Sequence, residues 1–165
     1  MRALVLYHSL FGNTRKVAES LADGIRFCGI ETDCKGIDQV NLEGLVQFDL
    51  LAIGGPTHML GLSKDMKAFL DGLKATDLHG KYAFCFDTRN ETGMNKASYF
   101  VLENSAARRI EGMVKRMKMQ IIRPRKSALV NKREGPLYPN VEEQFVMIGK
   151  EIGNLLTTQQ KSASV

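Results

Sequence analysis

The chain has 165 residues, of which 44% are hydrophobic and 25% are charged, and its formal net charge is +5. These numbers are typical of one globular domain with a buried core, and no apolar run approaches the roughly 18 residues of a membrane span. Three cysteines without a CxxC pair argue against a disulfide framework and a zinc site, so we read them as reduced thiols. Since no signal-peptide pattern opens the chain, we expect a cytoplasmic protein.

A strand, a polar turn and a helix open the chain. Residues 3–7 form a short apolar run, typical of a strand buried on both faces, and residues 14–27 carry apolar side chains at helical spacing. A glycine turn before a helix start brings free backbone N–H groups together, so a phosphate fits there. The alternative is that Asn13 or Thr14 only caps the helix and Gly12 only makes the turn. This first loop consists of Ser9, Leu10, Phe11, Gly12, Asn13 and Thr14.

Two further strands end in loops suited to a ligand. The looser alternation over residues 30–37 predicts an outer strand, and a short helix over residues 42–46 leads to a strongly apolar strand over residues 49–54. The second loop, residues 54–62, contains Pro56, Thr57, His58, Met59, Leu60 and Gly61. After a helical pattern and an apolar strand over residues 82–86 comes a third loop, with Asp87, Thr88, Arg89, Asn90, Glu91, Thr92 and Gly93.

The last third of the chain predicts a helix capped by Ser105 or Asn104, a strand over residues 119–122, and a closing helix from Val141 to Leu155. The strand either ends before Pro124 or resumes over residues 127–130. We therefore expect a single domain over residues 1–157 and a polar tail over residues 158–165. The alternation of strand and helix favours a doubly wound parallel sheet with helices on both faces, in which ligands bind beyond the carboxyl ends of the strands.

Positive charge is concentrated in one stretch. Residues 105–133 hold ten Lys or Arg and one acidic residue, while the remainder of the chain is slightly acidic. This predicts a docking face for an acidic partner. Nucleic acid is a weaker hypothesis, because no aromatic residue lies among these charges to stack on bases. A solvated helix face followed by a basic loop explains the charge equally well.

The three loops resemble those of the flavodoxin family. The first reads SLFGNT, the second lies in IGGPTHMLGLSKDMKAFLD, and the third lies in FCFDTRNETG. The resemblance covers most of residues 1–156 and implies a five-stranded parallel sheet of order 2-1-3-4-5 that binds FMN at its carboxyl edge. Neither the GxGxxG fingerprint nor the nucleotide loop ending in GK and Ser or Thr occurs.

The resemblance also implies roles for single residues. Residues 9–14 would hold the FMN phosphate through hydroxyls and backbone N–H groups. The residues of the second loop from Pro56 to Gly61 would line one side of the isoalloxazine ring. The pyrimidine side would be lined by Asp87, Thr88, Arg89, Asn90, Glu91 and Gly93.

The chain departs from the family in its aromatic residues. It has no Trp, so His58, Met59 and Tyr99 are the candidates for stacking on the flavin. Weaker stacking in a basic protein predicts a potential for the second electron that is less negative than in strongly acidic flavodoxins, because positive charge stabilises an anion.

Three functions remain open at this point. We favour an electron carrier that shuttles electrons between redox partner proteins, since we find no catalytic residue and no triad among the histidines and serines. The alternative is an NAD(P)H:quinone-type oxidoreductase, for which residues 92–104 would serve as a lid. The third is a regulatory module that keeps the fold without flavin. The sequence predicts no metal site.

Overall fold

The computed structural model describes residues 1–57, 61–90 and 105–163. Its helices are α1 (Asn13–Phe27), α2 (Lys64–Leu73), α3 (Ala106–Arg116) and α4 (Val141–Ala163), with two 3₁₀ turns at Ile37–Gln39 and Leu42–Gln47. Its strands are β1 (Arg2–Tyr7), β2 (Glu31–Gly36), β3 (Leu50–Pro56), β4 (Tyr82–Asn90), β5 (Gln120–Ile121) and β6 (Lys126–Val130). Almost every predicted element is therefore present within a few residues of its expected bounds.

All six described strands belong to one sheet. Its strands run parallel in the order β2-β1-β3-β4-β5, and β6 also pairs with β4. This confirms the predicted doubly wound fold, with β2 at the edge as its weaker apolar character indicated. Strands β5 and β6 both pair with β4, and Pro124 lies between them in the chain. Because proline has no N–H to donate, it interrupts the pairing with β4 at that point.

Strand β4 is longer than the apolar run predicts. The prediction ended it at Phe86, but the strand continues through Asn90 and pairs with β6 from Phe86 opposite Lys126 to Asn90 opposite Val130. Polar residues can extend a strand when a neighbour supplies the backbone hydrogen bonds, which a single-sequence pattern does not show. The first half of the predicted third loop is therefore strand.

The core lies on both faces of the sheet. Alternate residues of β1 point to opposite faces: Ala3 and Val5 pack against α1 and α4, whereas Leu4 and Leu6 pack against α2 and α3. All four of these side chains are at most 1% exposed. Because both faces are covered, the strand has to be apolar at successive positions, which is the pattern that its sequence shows.

Helices α1 and α4 approach each other closely. A Cβ atom added at Gly24 would lie 2.1 Å from the Val146 carbonyl oxygen, and one added at Gly149 would lie 2.3 Å from the Leu21 carbonyl oxygen. The two glycines therefore permit contact between the helix backbones.

Helix α4 continues to Ala163, over most of the segment expected as a polar tail. Polar side chains mark an exposed helix as readily as a tail, and the hydroxyls of Thr157 and Thr158 donate to carbonyls one helical turn earlier. Within the described ranges, no helix combines the length and the apolar character needed to cross a membrane.

Candidate functional site

The first loop, the start of the second loop and the end of β4 meet at the carboxyl edge of the sheet. They do so because β1, β3 and β4 are parallel neighbours. A cavity of about 450 Å³ lies between them, within the range of about 300–1,000 Å³ typical of small-molecule sites. We call it the edge cavity. Its lining residues are Ser9, Leu10, Phe11, Asn13, Thr14, Pro56, Thr57, Thr88, Arg89, Asn90, Val130 and Arg133.

Ser9 and Gly12 shape the first loop. Gly12 has φ 87°, in the left-handed region that favours glycine, although an added Cβ would meet nothing within 4 Å. Ser9 Oγ accepts hydrogen bonds from the backbone N–H groups of Gly12 at 3.1 Å and Arg15 at 3.3 Å. The N–H groups of Asn13 and Thr14 have no partner within the helix, because no earlier turn precedes them. The loop thus presents the positive end of the α1 dipole to the cavity.

A hydroxyl pair joins the first loop to β4. The Oγ1 atoms of Thr14 and Thr88 lie 2.8 Å apart and are buried. Both side chains also line the edge cavity. The pair therefore links the wall of the cavity formed by the first loop and α1 to the wall formed by β4.

The turn after β6 packs against the first loop. Asn13 Nδ2 donates to the Glu134 carbonyl oxygen at 3.0 Å. Gly135, with φ 103°, leaves room for that side chain, since an added Cβ would lie 2.7 Å from Asn13 Nδ2. This contact holds the turn at the carboxyl edge and brings Arg133 into the cavity lining.

The Asp87 side chain lies away from the edge cavity. It is fully buried, and its Oδ2 atom accepts hydrogen bonds from the Thr57 hydroxyl at 2.7 Å and the Ala107 N–H at 3.2 Å. The Thr57 hydroxyl oxygen in turn accepts the Ala106 N–H at 2.9 Å. The carboxylate thus lies at the N-terminus of α3, where the helix dipole favours an anion. It ties α3 to the second loop and does not line the edge cavity.

Positive charge faces the edge cavity. Arg89 and Arg133 line it, and within the described residues no acidic side chain does. Arg89 Nε is buried and has no hydrogen-bond partner among the described residues. Such an unpaired donor is costly unless a ligand or water satisfies it. The cavity therefore suits an anionic ligand with hydrogen-bond acceptors.

Two lining residues, Val130 and Arg133, were not predicted as part of the site. Arg133 was assigned only to the basic stretch, residues 105–133. The signal that would have found both is the alternative strand over residues 127–130, because a strand beside β4 places the turn that follows it at the carboxyl edge.

Two predicted site residues, Gly12 and Gly61, are not among the lining residues of the edge cavity. Gly12 shapes the first loop beside the cavity, and Gly61 is buried beside Arg109, since an added Cβ would lie 2.8 Å from the guanidinium carbon. The predictions for His58, Met59, Leu60, Glu91 and Gly93, and for stacking by Tyr99, fall outside the described residues.

His8 connects the end of β1 with the start of α2. The Ser63 side chain caps α2 by accepting the Met66 N–H at 3.2 Å, so its hydroxyl proton is available for His8 Nδ1, 2.8 Å away. On the other side of the ring, Nε2 lies 3.4 Å from Asp65 Oδ2. Ser63 is nearly buried and holds the helix start, so this trio positions α2 relative to the first loop.

Burial keeps two of the three cysteine thiols protonated. It raises the pKa of Cys34 to about 11 and raises the pKa of the fully buried Cys85 further. All three cysteines lie in the described part of the chain, and none forms a disulfide. These two thiols are therefore structural, because the thiolate is the reactive form.

The chain matches a family profile and resembles curated relatives from two groups of proteins. The profile of the family described as Flavodoxin matches residues 5–128. A flavodoxin from Aquifex aeolicus is 35% identical over 96 residues, which cover 56% of this chain and 52% of that protein. An NAD(P)H dehydrogenase (quinone) from Caulobacter vibrioides is 28% identical over 124 residues, which cover 60% of this chain and 62% of that protein. The chain thus spans between half and two thirds of these curated relatives.

Solved structures agree on the fold. A flavodoxin from the domain Archaea superposes with a TM-score of 0.78 at 23% identity, covering 93% of this chain and 97% of that one. At this identity the likeness shows the architecture alone.

Proposed function

The chain belongs to the flavodoxin family, whose members bind FMN, and from that membership we propose that it is an FMN-dependent electron carrier acting between redox partner proteins. The observation that carries the proposal is the edge cavity, formed by the first loop, the start of the second loop, the end of β4 and the end of β6 with the turn that follows it. Its position at the carboxyl edge of a doubly wound sheet is the position at which this fold binds ligands.

The residues present fit the cofactor. The α1 N-terminus and the Ser9, Asn13 and Thr14 side chains would hold the phosphate, because oriented amides and hydroxyls stabilise a dianion without a cation in the loop. The unpaired Arg89 Nε offers a donor to a polar ring edge. Leu10 and Phe11 are about half exposed, at 50% and 48%, and offer an apolar surface for a flat ring. We propose Pro56, Thr57, Thr88 and Asn90 as further contacts.

When bound, FMN supplies reversible uptake of one or two electrons. The chain's own residues position and tune that chemistry. The Thr14–Thr88 pair and the Ser9 contacts keep the cavity walls in place. Arg89 and Arg133 stabilise negative charge that develops in the cavity. The apolar side chains of Leu10 and Phe11 limit the access of water.

The proposed partners are redox proteins with an acidic face that dock near the basic residues 105–133. A cytoplasmic location belongs to the same proposal. It is supported by three cysteines that form no disulfide, which suits a reducing compartment.

A second candidate function is an NAD(P)H:quinone-type oxidoreductase. Its support is the match to the quinone dehydrogenase of Caulobacter vibrioides. We favour the carrier, because the described lining of the edge cavity contains no His, Asp, Glu, Cys or Tyr that could transfer a proton to a substrate.

An absorption spectrum of the purified protein, with mass analysis of the released cofactor, tests FMN binding. A colourless protein that takes up no FMN would refute both redox functions. Mixing the FMN-loaded protein with NADH or NADPH and a quinone then separates them. The carrier hypothesis predicts slow reaction with nicotinamide and fast reduction by a reduced electron-transfer protein. Rapid quinone-dependent oxidation of nicotinamide would favour the enzyme instead.

A further inference from the structure

A groove runs between α2 and α3 on the side of the sheet away from α1. It consists of two hollows of about 630 and 730 Å³ that share Lys74, Met113 and Arg116 in their linings. One hollow reaches Leu62, at the end of the second loop, and the other reaches His79 and Lys118, at the amino edge of the sheet. The groove therefore follows the 11 residues of α3, a length of about 16 Å. We call it the α2–α3 groove.

The rim of the groove is strongly basic. Six Lys or Arg side chains line it against two acidic ones, and all six are exposed: Lys67, Lys74, Arg108, Arg109, Arg116 and Lys118. The Asp71 carboxylate is bound by Lys74 at 2.6 Å, a hydrogen bond that lowers its pKa. Asp77 accepts the His79 N–H at 3.1 Å. Six cations and two acids give the described lining a net charge of about +4 from its Lys, Arg and Asp side chains.

The nearest acidic residue in α3 does not reduce this charge either. Glu111 is nearly buried, and it is bound by Lys115 and by Arg125 Nη1, the latter at 3.3 Å. Its charge is therefore already compensated outside the groove.

The floor of the groove is apolar. Leu62, Met113 and Met117 line it, and each is partly buried against the core on this face of the sheet. Methionine side chains are unbranched and adapt to different apolar surfaces, so they are common where a protein receives a helix.

We propose that the α2–α3 groove binds an acidic amphipathic helix of a partner protein. The apolar face of such a helix would cover Leu62, Met113 and Met117, while its carboxylates would pair with the basic rim. A helix fits because the groove follows the 11 residues of α3, which lets a second helix pack alongside. Nucleic acid fits less well, because no aromatic side chain is present in the described lining to stack on bases.

The groove begins beside the second loop. Arg109 lies against Gly61, so a partner bound in the groove would lie beside the end of the second loop, which is predicted to line the flavin ring. This link to electron transfer rests on the proposed function, whereas helix binding does not.

The test uses a fluorescent helical peptide of about 16 residues, with leucines on one face and glutamates elsewhere, and anisotropy at low and high salt. K67E/R116E should weaken peptide binding by about tenfold or more, because two rim cations become anions. The matched control K126E/K161E makes the same change in charge outside the groove and should bind as the unmodified protein does. Met113→Gln should weaken binding several-fold at both salt concentrations, since it removes apolar floor. Circular dichroism checks that each variant is folded.

Two further probes could overturn the proposal. A peptide of the same composition with its leucines spread around the helix should bind at least about tenfold more weakly. Three results would each refute an acidic-helix site. They are equal affinity for both peptides, an equal loss of peptide affinity in the control variant K126E/K161E, and tighter binding of a single-stranded oligonucleotide than of the acidic peptide. FMN uptake by the unmodified protein separates the two hypotheses. In that protein, FMN uptake without peptide binding refutes the groove alone, and peptide binding without FMN uptake refutes the carrier alone.

Discussion

The Thr14 and Thr88 hydroxyls share a buried hydrogen bond of 2.8 Å across 74 residues of sequence. Thr14 lies in the first turn of α1, and Thr88 lies near the end of β4. The bond links two walls of the edge cavity without involving any ligand. Removing one hydroxyl leaves the other buried without its partner, and this costs more than removing both.

We therefore expect Thr14→Val to lower the free energy of unfolding by about 1–3 kcal/mol in the absence of added FMN. The double variant T14V/T88V should recover much of that loss. Urea titrations of the three proteins measure both values. The control is Thr158→Val, whose exposed hydroxyl bonds to the Asn154 carbonyl within α4, and it should change stability by less than about 0.5 kcal/mol. A double variant that loses the sum of the two single losses would contradict the coupling.

Alanine substitutions at Gly12 and Gly112 should change the free energy of unfolding in opposite directions. At Gly12 the positive φ of 87° makes any side chain strained, so Gly12→Ala should destabilise by about 1–2 kcal/mol and weaken FMN binding. At Gly112, inside α3, an added Cβ meets nothing within 4 Å, so Gly112→Ala should stabilise by about 0.5–1 kcal/mol. Thermal unfolding and FMN titration measure the pair. A neutral Gly12→Ala would show that the loop can adopt another backbone conformation.

Arg133 should raise the reduction potential of bound FMN. Arg133→Gln removes a positive charge from the cavity lining, so the potential for the second electron should become more negative by roughly 20–40 mV, or about 0.5–1 kcal/mol at this exposed position. Lys132→Gln, at the adjacent exposed position outside the lining, should change it by less than half as much. A redox titration measures each value. An unchanged potential in Arg133→Gln would exclude this electrostatic role.

The net positive charge of the whole protein should act on the potential in the same direction as Arg133. A basic chain with two cations at the cavity should have a potential for the second electron that is less negative than in strongly acidic flavodoxins. A more negative value in the same titration would contradict this expectation.

The contribution of Glu111 to the free energy of unfolding should be lost at acidic pH. Burial by itself raises its pKa, but the hydrogen bonds and charges of Lys115 and Arg125 outweigh burial, and the pKa is lower than the ordinary 4.5. A carboxyl whose pKa is lower in the folded state stabilises the fold above the ordinary pKa, and this contribution is lost as pH falls through the lower folded value. Glu111→Gln should therefore lower the free energy of unfolding by about 1–3 kcal/mol at neutral pH. It should also make the decrease of that free energy below pH 4.5 less steep.

Denaturant titrations from neutral to acidic pH measure this dependence. Glu143→Gln, on the exposed side of the first turn of α4, is the control and should leave the slope below the ordinary pKa unchanged. An equally steep decline in Glu111→Gln and the unmodified protein would contradict the assignment.

The sequence predicts those features of the site that depend on local pattern. Apolar runs locate β1 and β3 because strands buried on both faces have to be apolar throughout, and Gly12 marks the turn because few other residues adopt its backbone conformation. Ser105 was one of two predicted caps of α3, with Asn104 as the other, and its Oγ accepts the Arg108 N–H at 3.2 Å. Each of these follows from residues close together in the chain.

Features that depend on distant neighbours were not predictable in this way. Asp87 follows an apolar strand and thus looked like a loop residue, but β6 extends that strand and the α3 N-terminus binds the carboxylate. Arg133 reaches the cavity only because Asn13 holds the turn that follows β6. In both cases the deciding partner lies far along the chain, and periodicity gives no information about it.

The contact of Gly24 with Gly149 joins the first helix to the last one in the chain. During synthesis on the ribosome, the α1 surface around Leu21, Gly24 and Ile25 that contacts α4 therefore stays uncovered until α4 has emerged. The first loop directly precedes α1, so it rests on a fully packed helix only after α4 has been synthesised. We expect nascent chains that stop before residue 141 to expose this apolar face to chaperones.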